Sequence, residues 1–133
     1  MSPEKLQKNF ERCADWEERY MYLIELGDRL EPFPVKKMNK THLIAGCQSN
    51  VWLDLSIGQQ NKMSIQATSD SSLVKGLLAL VLIAYNNQQP ASVLEFDIKD
   101  WFRQLDLKSQ LSASRSQGLE AIIKHIRCHA RAV

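Results

Sequence analysis

The chain reads as an α+β domain, and two features of its apolar pattern predict this. Every segment with strand-like alternation falls in one block near the middle of the chain, and helical periodicity fills the stretches on either side. Strands that arrive together pair antiparallel, with the helices packed against them, whereas a doubly wound sheet needs strands and helices in alternation. At 133 residues the chain fits one domain, residues 1–133, with neither repeat nor low-complexity linker to divide it.

The first element is a helix on which Leu6, Phe10 and Cys13 recur at three- and four-residue spacing. A second runs from Trp16 to Leu26, with Asp15 and Glu18 spaced as a capping box and Gly27 suited to the position just past its end. Glu31-Pro32-Phe33-Pro34 cannot continue a helix, because proline lacks an N–H and restricts the residue before it. A loop through Asn39 follows.

Val51, Leu53, Leu55 and Ile57 alternate with Trp52, Asp54 and Ser56, and the alternation resumes at Met63, Ile65 and Ala67 after Gly58-Gln59-Gln60-Asn61. That is a hairpin. His42 to Ala45 reads as a short strand before it, which makes a small three-stranded antiparallel sheet with Gly46 to Asn50 as a turn. Asp70 or Ser71 caps a helix over Ser72 to Asn86 that is apolar on nearly every side. Gln89-Pro90 opens a short helix through Glu95, and Asp97 caps another through Leu105. Ser114 and Gln117 form a capping box for the last helix, whose stripe is Leu119, Ile122, Ile123, Ile126 and Ala130.

Composition narrows the function classes. Charged residues make up 24% and the net charge is +2, with basic residues interspersed among acids, so no nucleic-acid or anionic-membrane partner is expected. No apolar run resembles a signal peptide, and Leu77 to Tyr85 is too short to span a bilayer. A cytoplasmic protein with reduced thiols is expected. No Gly-rich phosphate loop exists. His125 and His129 with Cys128 offer too few ligands for a metal centre, and Asp97 with Asp100 suits a helix start better than acid–base work. Trp101-Phe102 reads as core.

The three cysteines, Cys13, Cys47 and Cys128, are too far apart in sequence for CxxC chemistry. Cys13 extends an apolar stripe, as buried thiols usually do. Cys128 lies off the stripe of the last helix, near a fraying end. Cys47 sits in a polar run between apolar strand residues, where packing does not call for a thiol but a loop can present one to another protein. Its thiolate character would come from unpaired backbone N–H groups or a nearby cation.

The run Gly46-Cys47-Gln48-Ser49-Asn50-Val51-Trp52 resembles the active-cysteine motif of the SufE family of sulfur acceptor proteins. Further blocks resemble that family in its own order. These are Asn9-Phe10 through Gly27, Ser69-Asp70 with Val74-Lys75-Gly76-Leu77, Phe96-Asp97 with Trp101-Phe102, and Ser114-Arg115-Ser116-Gln117-Gly118-Leu119. Gln110 stands where many members have His and Ala113 where many have Pro, which leaves the subgroup, SufE-like or CsdE-like, open.

The resemblance implies an IscU/SufE-like fold with Cys47 as a persulfide carrier. It implies a PLP-dependent cysteine desulfurase of the SufS or CsdA type as donor and activation target, and a downstream sulfur acceptor protein serving iron–sulfur cluster assembly or another sulfur-using pathway. The PLP belongs to the desulfurase, and no cofactor of this chain is expected. Gly46, Gln48 and Ser49 support the cysteine, Asp70 lies near its loop, and Arg115 lies near the thiol. Gly46 would let the loop swing, and the loaded sulfur is expected to turn into an apolar recess lined by Trp52 and the buried helix. A docking adaptor, an iron–sulfur scaffold and a homodimer stay open.

Overall fold

The computed structural model describes residues 1–45, 49–107 and 111–133. The six helices among them are α1 (Pro3–Glu11), α2 (Trp16–Asp28), α3 (Ser72–Tyr85), α4 (Pro90–Glu95), α5 (Ile98–Gln104) and α6 (Ala113–Ala132). Strands β1 (Val51–Ile57) and β2 (Met63–Ser69) lie between α2 and α3. The α+β class holds.

The hairpin pairs antiparallel from Val51 opposite Ser69 to Ile57 opposite Met63. Val51 and Leu53 share their face with Met63, Ile65 and Ala67, all five buried, so the period-two pattern marks the side that meets the helices. Gln60 and Asn61 take positive φ at the turn, a conformation that asparagine tolerates better than most residues.

The third strand does not form. Among the described residues the sheet has two strands, and residues 42–45 contribute one isolated bridge, Leu43 opposite Trp52. The reason is local competition. Asn39 Oδ1 accepts from the backbone N–H groups of Thr41 and His42 at 3.1 and 3.3 Å, which curls the chain into a turn just before it reaches the sheet. Two ladder-like bonds survive, Ile44 N–H to Val51 O and Leu53 N–H to His42 O, both 2.9 Å.

Three helix boundaries also differ. Cys13 lies two residues beyond α1, half-buried, with its backbone N–H on Phe10 O. Gly27 is inside α2 and not past its end. Its position is a packing requirement: a Cβ there would sit 2.7 Å from Gly76 N, and one on Gly76 would strike Leu23 O. The two glycines let α2 and α3 cross backbone to backbone. Helix α6 starts earlier than Ser114-Gln117 suggests, because Ser112 caps it, accepting from Arg115 N–H at 3.2 Å.

Other expectations hold. Asp15 caps α2 through Glu18 N–H, while the Glu18 carboxylate reaches back to Ala14 N–H. Asp97 caps α5 through Asp100 N–H. Helix α3 is the central helix, buried over Gly76 to Val81, and Leu119, Ile122, Ile123, Ile126 and Ala130 form the buried side of α6. Trp101 is buried and stacks on Phe102. No described helix is long and apolar enough to cross a membrane.

Candidate functional site

Gly46, Cys47 and Gln48 lie outside the described residues, as does Gln110. The residues that lead into and out of the 46–48 segment in sequence are described, and four parts of the chain hold them.

On the N-terminal side, Asp54 of β1 holds the approach. Its carboxylate accepts from Lys37 Nζ at 2.6 Å and lies 3.5 Å from His42 Nε2. Asn39 Oδ1 also lies 3.0 Å from His42 Nδ1. In the sequence alone His42 is a stray histidine with no assignable partner. Here it tethers the strand-like stretch that leads toward position 46.

On the C-terminal side, Asn50 is clasped. Its backbone N–H donates to Asp70 Oδ1 at 3.2 Å, and its carbonyl accepts from Ser69 Oγ at 2.7 Å and from Asp70 N–H at 3.3 Å. Asp70 is thus not the cap of α3. Ser71 is, accepting from Val74 N–H at 3.4 Å. Ser69 is the buried polar residue of this end, and its hydroxyl also accepts from Ser71 N–H at 3.2 Å. The Ser69-Asp70-Ser71 run therefore divides its work: one residue caps, and two hold Asn50.

Beneath this end lies a recess of about 30 Å³. Val51, Val74, Leu77, Leu78, Leu119 and Ile122 make its apolar lining, and Ser49, Ser114 and Arg115 add polar groups. That volume holds roughly one or two water-sized atoms. Ser49 and Arg115, far apart in sequence, both line it. Trp52 does not line it. Alternation along β1 puts Val51 on the recess side and Trp52 on the other. Arg115 occupies the first turn of α6, where the helix dipole disfavours a cation, and its side chain is half-buried. Ser114, read from sequence as a cap, lines the recess instead.

The other two thiols sit elsewhere. Cys128 is exposed on α6. Cys13 opens on a cleft flanked by Asp15, Glu17, Glu18 and Glu25. Burial pushes its pKa up, Glu18 and Asp15 push the same way, and Arg19 opposes them. Its Sγ donates to Asn9 O at 3.5 Å. Among the described residues, no group of three or more Cys, His, Asp or Glu side chains is arranged to hold a metal ion.

A hairpin packed on helices, with a small apolar recess beside Ser49 at one end, defines a class of compact α+β domains. The family model described as "SufE: Fe-S metabolism associated domain" matches residues 4–130, and the chain belongs to that family. Its fold is similar to the solution structure of a hypothetical protein from Thermus thermophilus, with a TM-score of 0.79 and 19% identity. That likeness covers 99% of this chain and 97% of the other, and it bears on the fold alone.

Proposed function

We propose that this protein is a sulfur acceptor acting as one domain, with Cys47 carrying sulfane sulfur as a persulfide between a cysteine desulfurase and a downstream acceptor. The family's association with iron–sulfur metabolism supports the reading. The observation that carries it is the recess lined by Ser49 and Arg115. Two residues of chain span at most about 7 Å, so a thiol at position 47 has the recess within reach from Ser49.

The chemistry is thiol exchange at sulfur. The Cys47 thiolate attacks the terminal sulfur of a protonated persulfide on the desulfurase. A new S–S bond forms, the donor's S–S bond breaks, and the donor cysteine leaves as thiolate while the proton stays with the transferred sulfur. Arg115 favours the attacking thiolate through its charge. An apolar pocket with room for an atom or two then keeps the bound sulfur away from water-borne reductants. Ser69 and Asp70 hold the loop's C-terminal limb, so release of Asn50 is the motion that would free the thiol for delivery.

Incubation with a desulfurase and cysteine without reductant, followed by intact-mass measurement, tests the reading. Wild type is expected to gain one sulfur, as are Cys13→Ser and Cys128→Ser, whereas Cys47→Ser gains none. Desulfurase turnover stimulated equally by Cys47→Ala and wild type would favour a docking adaptor instead.

A further inference from the structure

Beside the recess, α5 and α6 enclose a larger groove of about 510 Å³. Its floor is apolar, made by Phe102, Leu107, Leu111, Leu119 and Ile123. Its rim is cationic: Lys99, Arg103, Lys124, Arg127 and Arg131 face a single carboxylate, Glu120. The groove therefore carries a formal charge of +4 in a chain of net +2, which leaves the rest of the molecule acidic overall.

Two of these cations have structural work. Arg103 pairs with Asp100 at 3.2 Å, and Arg127 donates to the carbonyls of Val93 and Leu94 at 3.2 and 3.1 Å, so it ties α4 to α6. Lys99, Lys124 and Arg131 are exposed and form no ion pair with a carboxylate among the described residues. Three exposed cations line one cleft without a carboxylate partner among the described residues, and an anionic ligand would supply one.

We propose that this groove docks an acidic amphipathic helix from a partner protein, with apolar side chains on the floor and carboxylates against Lys99, Lys124 and Arg131. The floor selects this occupant over a nucleic-acid strand, whose phosphates would leave the half-buried Phe102 and Leu111 without an apolar partner. The groove's length agrees. Ser116 to Arg131 on α6 spans about 22 Å at 1.5 Å per residue, the length of a four-turn helix. Leu119 lines both the groove and the recess, so a bound helix lies next to the cysteine-loop end without covering it. The proposal does not depend on what Cys47 carries.

A fluorescent peptide of about 18 residues, with leucines at i, i+3, i+4 and i+7 and glutamates flanking them, serves as probe for the full chain. A scrambled peptide of the same composition is the control. Saturable binding is expected, weakened by added salt and at least about tenfold weaker in a Lys99→Glu/Lys124→Glu/Arg131→Glu variant. Leu111→Ser should weaken it independently, with a thermal melt to verify folding. Sulfur loading of Cys47 stays at the wild-type level in the charge-reversed variant, which separates failure here from failure of the carrier reading. Equal binding of the scrambled peptide, or indifference to charge reversal, overturns the proposal. So does tighter binding of a single-stranded oligonucleotide, or self-association that the charge-reversed variant abolishes.

Discussion

Cys13 and the recess beside Ser49 are opposite settings in charge and polarity. Around Cys13 the neighbours are acids, and they join with burial in keeping the sulfur protonated. At the recess the charged residue is Arg115, and the walls are apolar. On the carrier reading proposed above, a thiol is quiet in the first setting and suited to nucleophilic work in the second. Reactivity follows from which charges the fold gathers, not from the presence of a cysteine.

The largest expected effect tests the contrast directly. In Cys47→Ser, Cys13 and Cys128 remain, yet sulfur loading by a desulfurase should vanish. Sulfur found on Cys13, located by peptide mass mapping, would break the comparison. Next comes the clasp. Asp70→Ala removes the acceptor for Asn50 N–H, a bond worth up to about 1 kcal/mol, so alkylation of Cys47 by iodoacetamide should quicken up to about fivefold. Unchanged alkylation would mean that Asn50 does not govern access.

A smaller change is expected from Arg115→Gln. Loss of the cation removes support for the thiolate but leaves a stronger nucleophile, so the two effects partly offset and loading should slow only by about threefold. The pH–rate profile of loading should move to higher pH, and Arg115→Lys should restore most of the rate. A rate loss without movement of the profile would assign Arg115 a purely structural role.

The smallest effect belongs to Cys13. Folding raises its pKa, so the folded state favours the protonated thiol. This stabilising contribution is present below the unfolded-state pKa of about 8.5 and is lost as pH rises through the folded value. Denaturation midpoints of wild type and Cys13→Ser, measured on either side of about pH 9, should show wild type losing slightly more stability at the alkaline end. A parallel pair of curves would sink that assignment.

Much of this was legible in the sequence because local signals and tertiary outcome agree. The alternation of Val51 to Ile57, the caps at Asp15 and Asp97, and the stripe of α6 all do in the fold what their spacing says. Most of the misreadings share one cause, a residue whose partner lies far away in sequence. Gly27 looks like a helix terminator until Gly76 is placed against it. Asp70 looks like a cap until Asn50 arrives. The basic residues look scattered because Lys99 and Arg103 stand some twenty residues before Lys124, Arg127 and Arg131, and only the packing of α5 with α6 collects them. Two others are local contests. Ser112 wins the cap of α6 from Ser114, and Asn39 captures the N–H groups of Thr41 and His42 at the point where the expected strand would begin.

The crossing at Gly27 and Gly76 has a mechanical consequence for the recess. Leu77 and Leu78 follow Gly76 directly on α3, where backbone already rests on backbone and no side chain intervenes to compress or rotate. That wall has nowhere to retreat. Any widening of the space falls to its other walls, Ser49 and Val51 on one side and Leu119, Ile122 and Arg115 of α6 on the other.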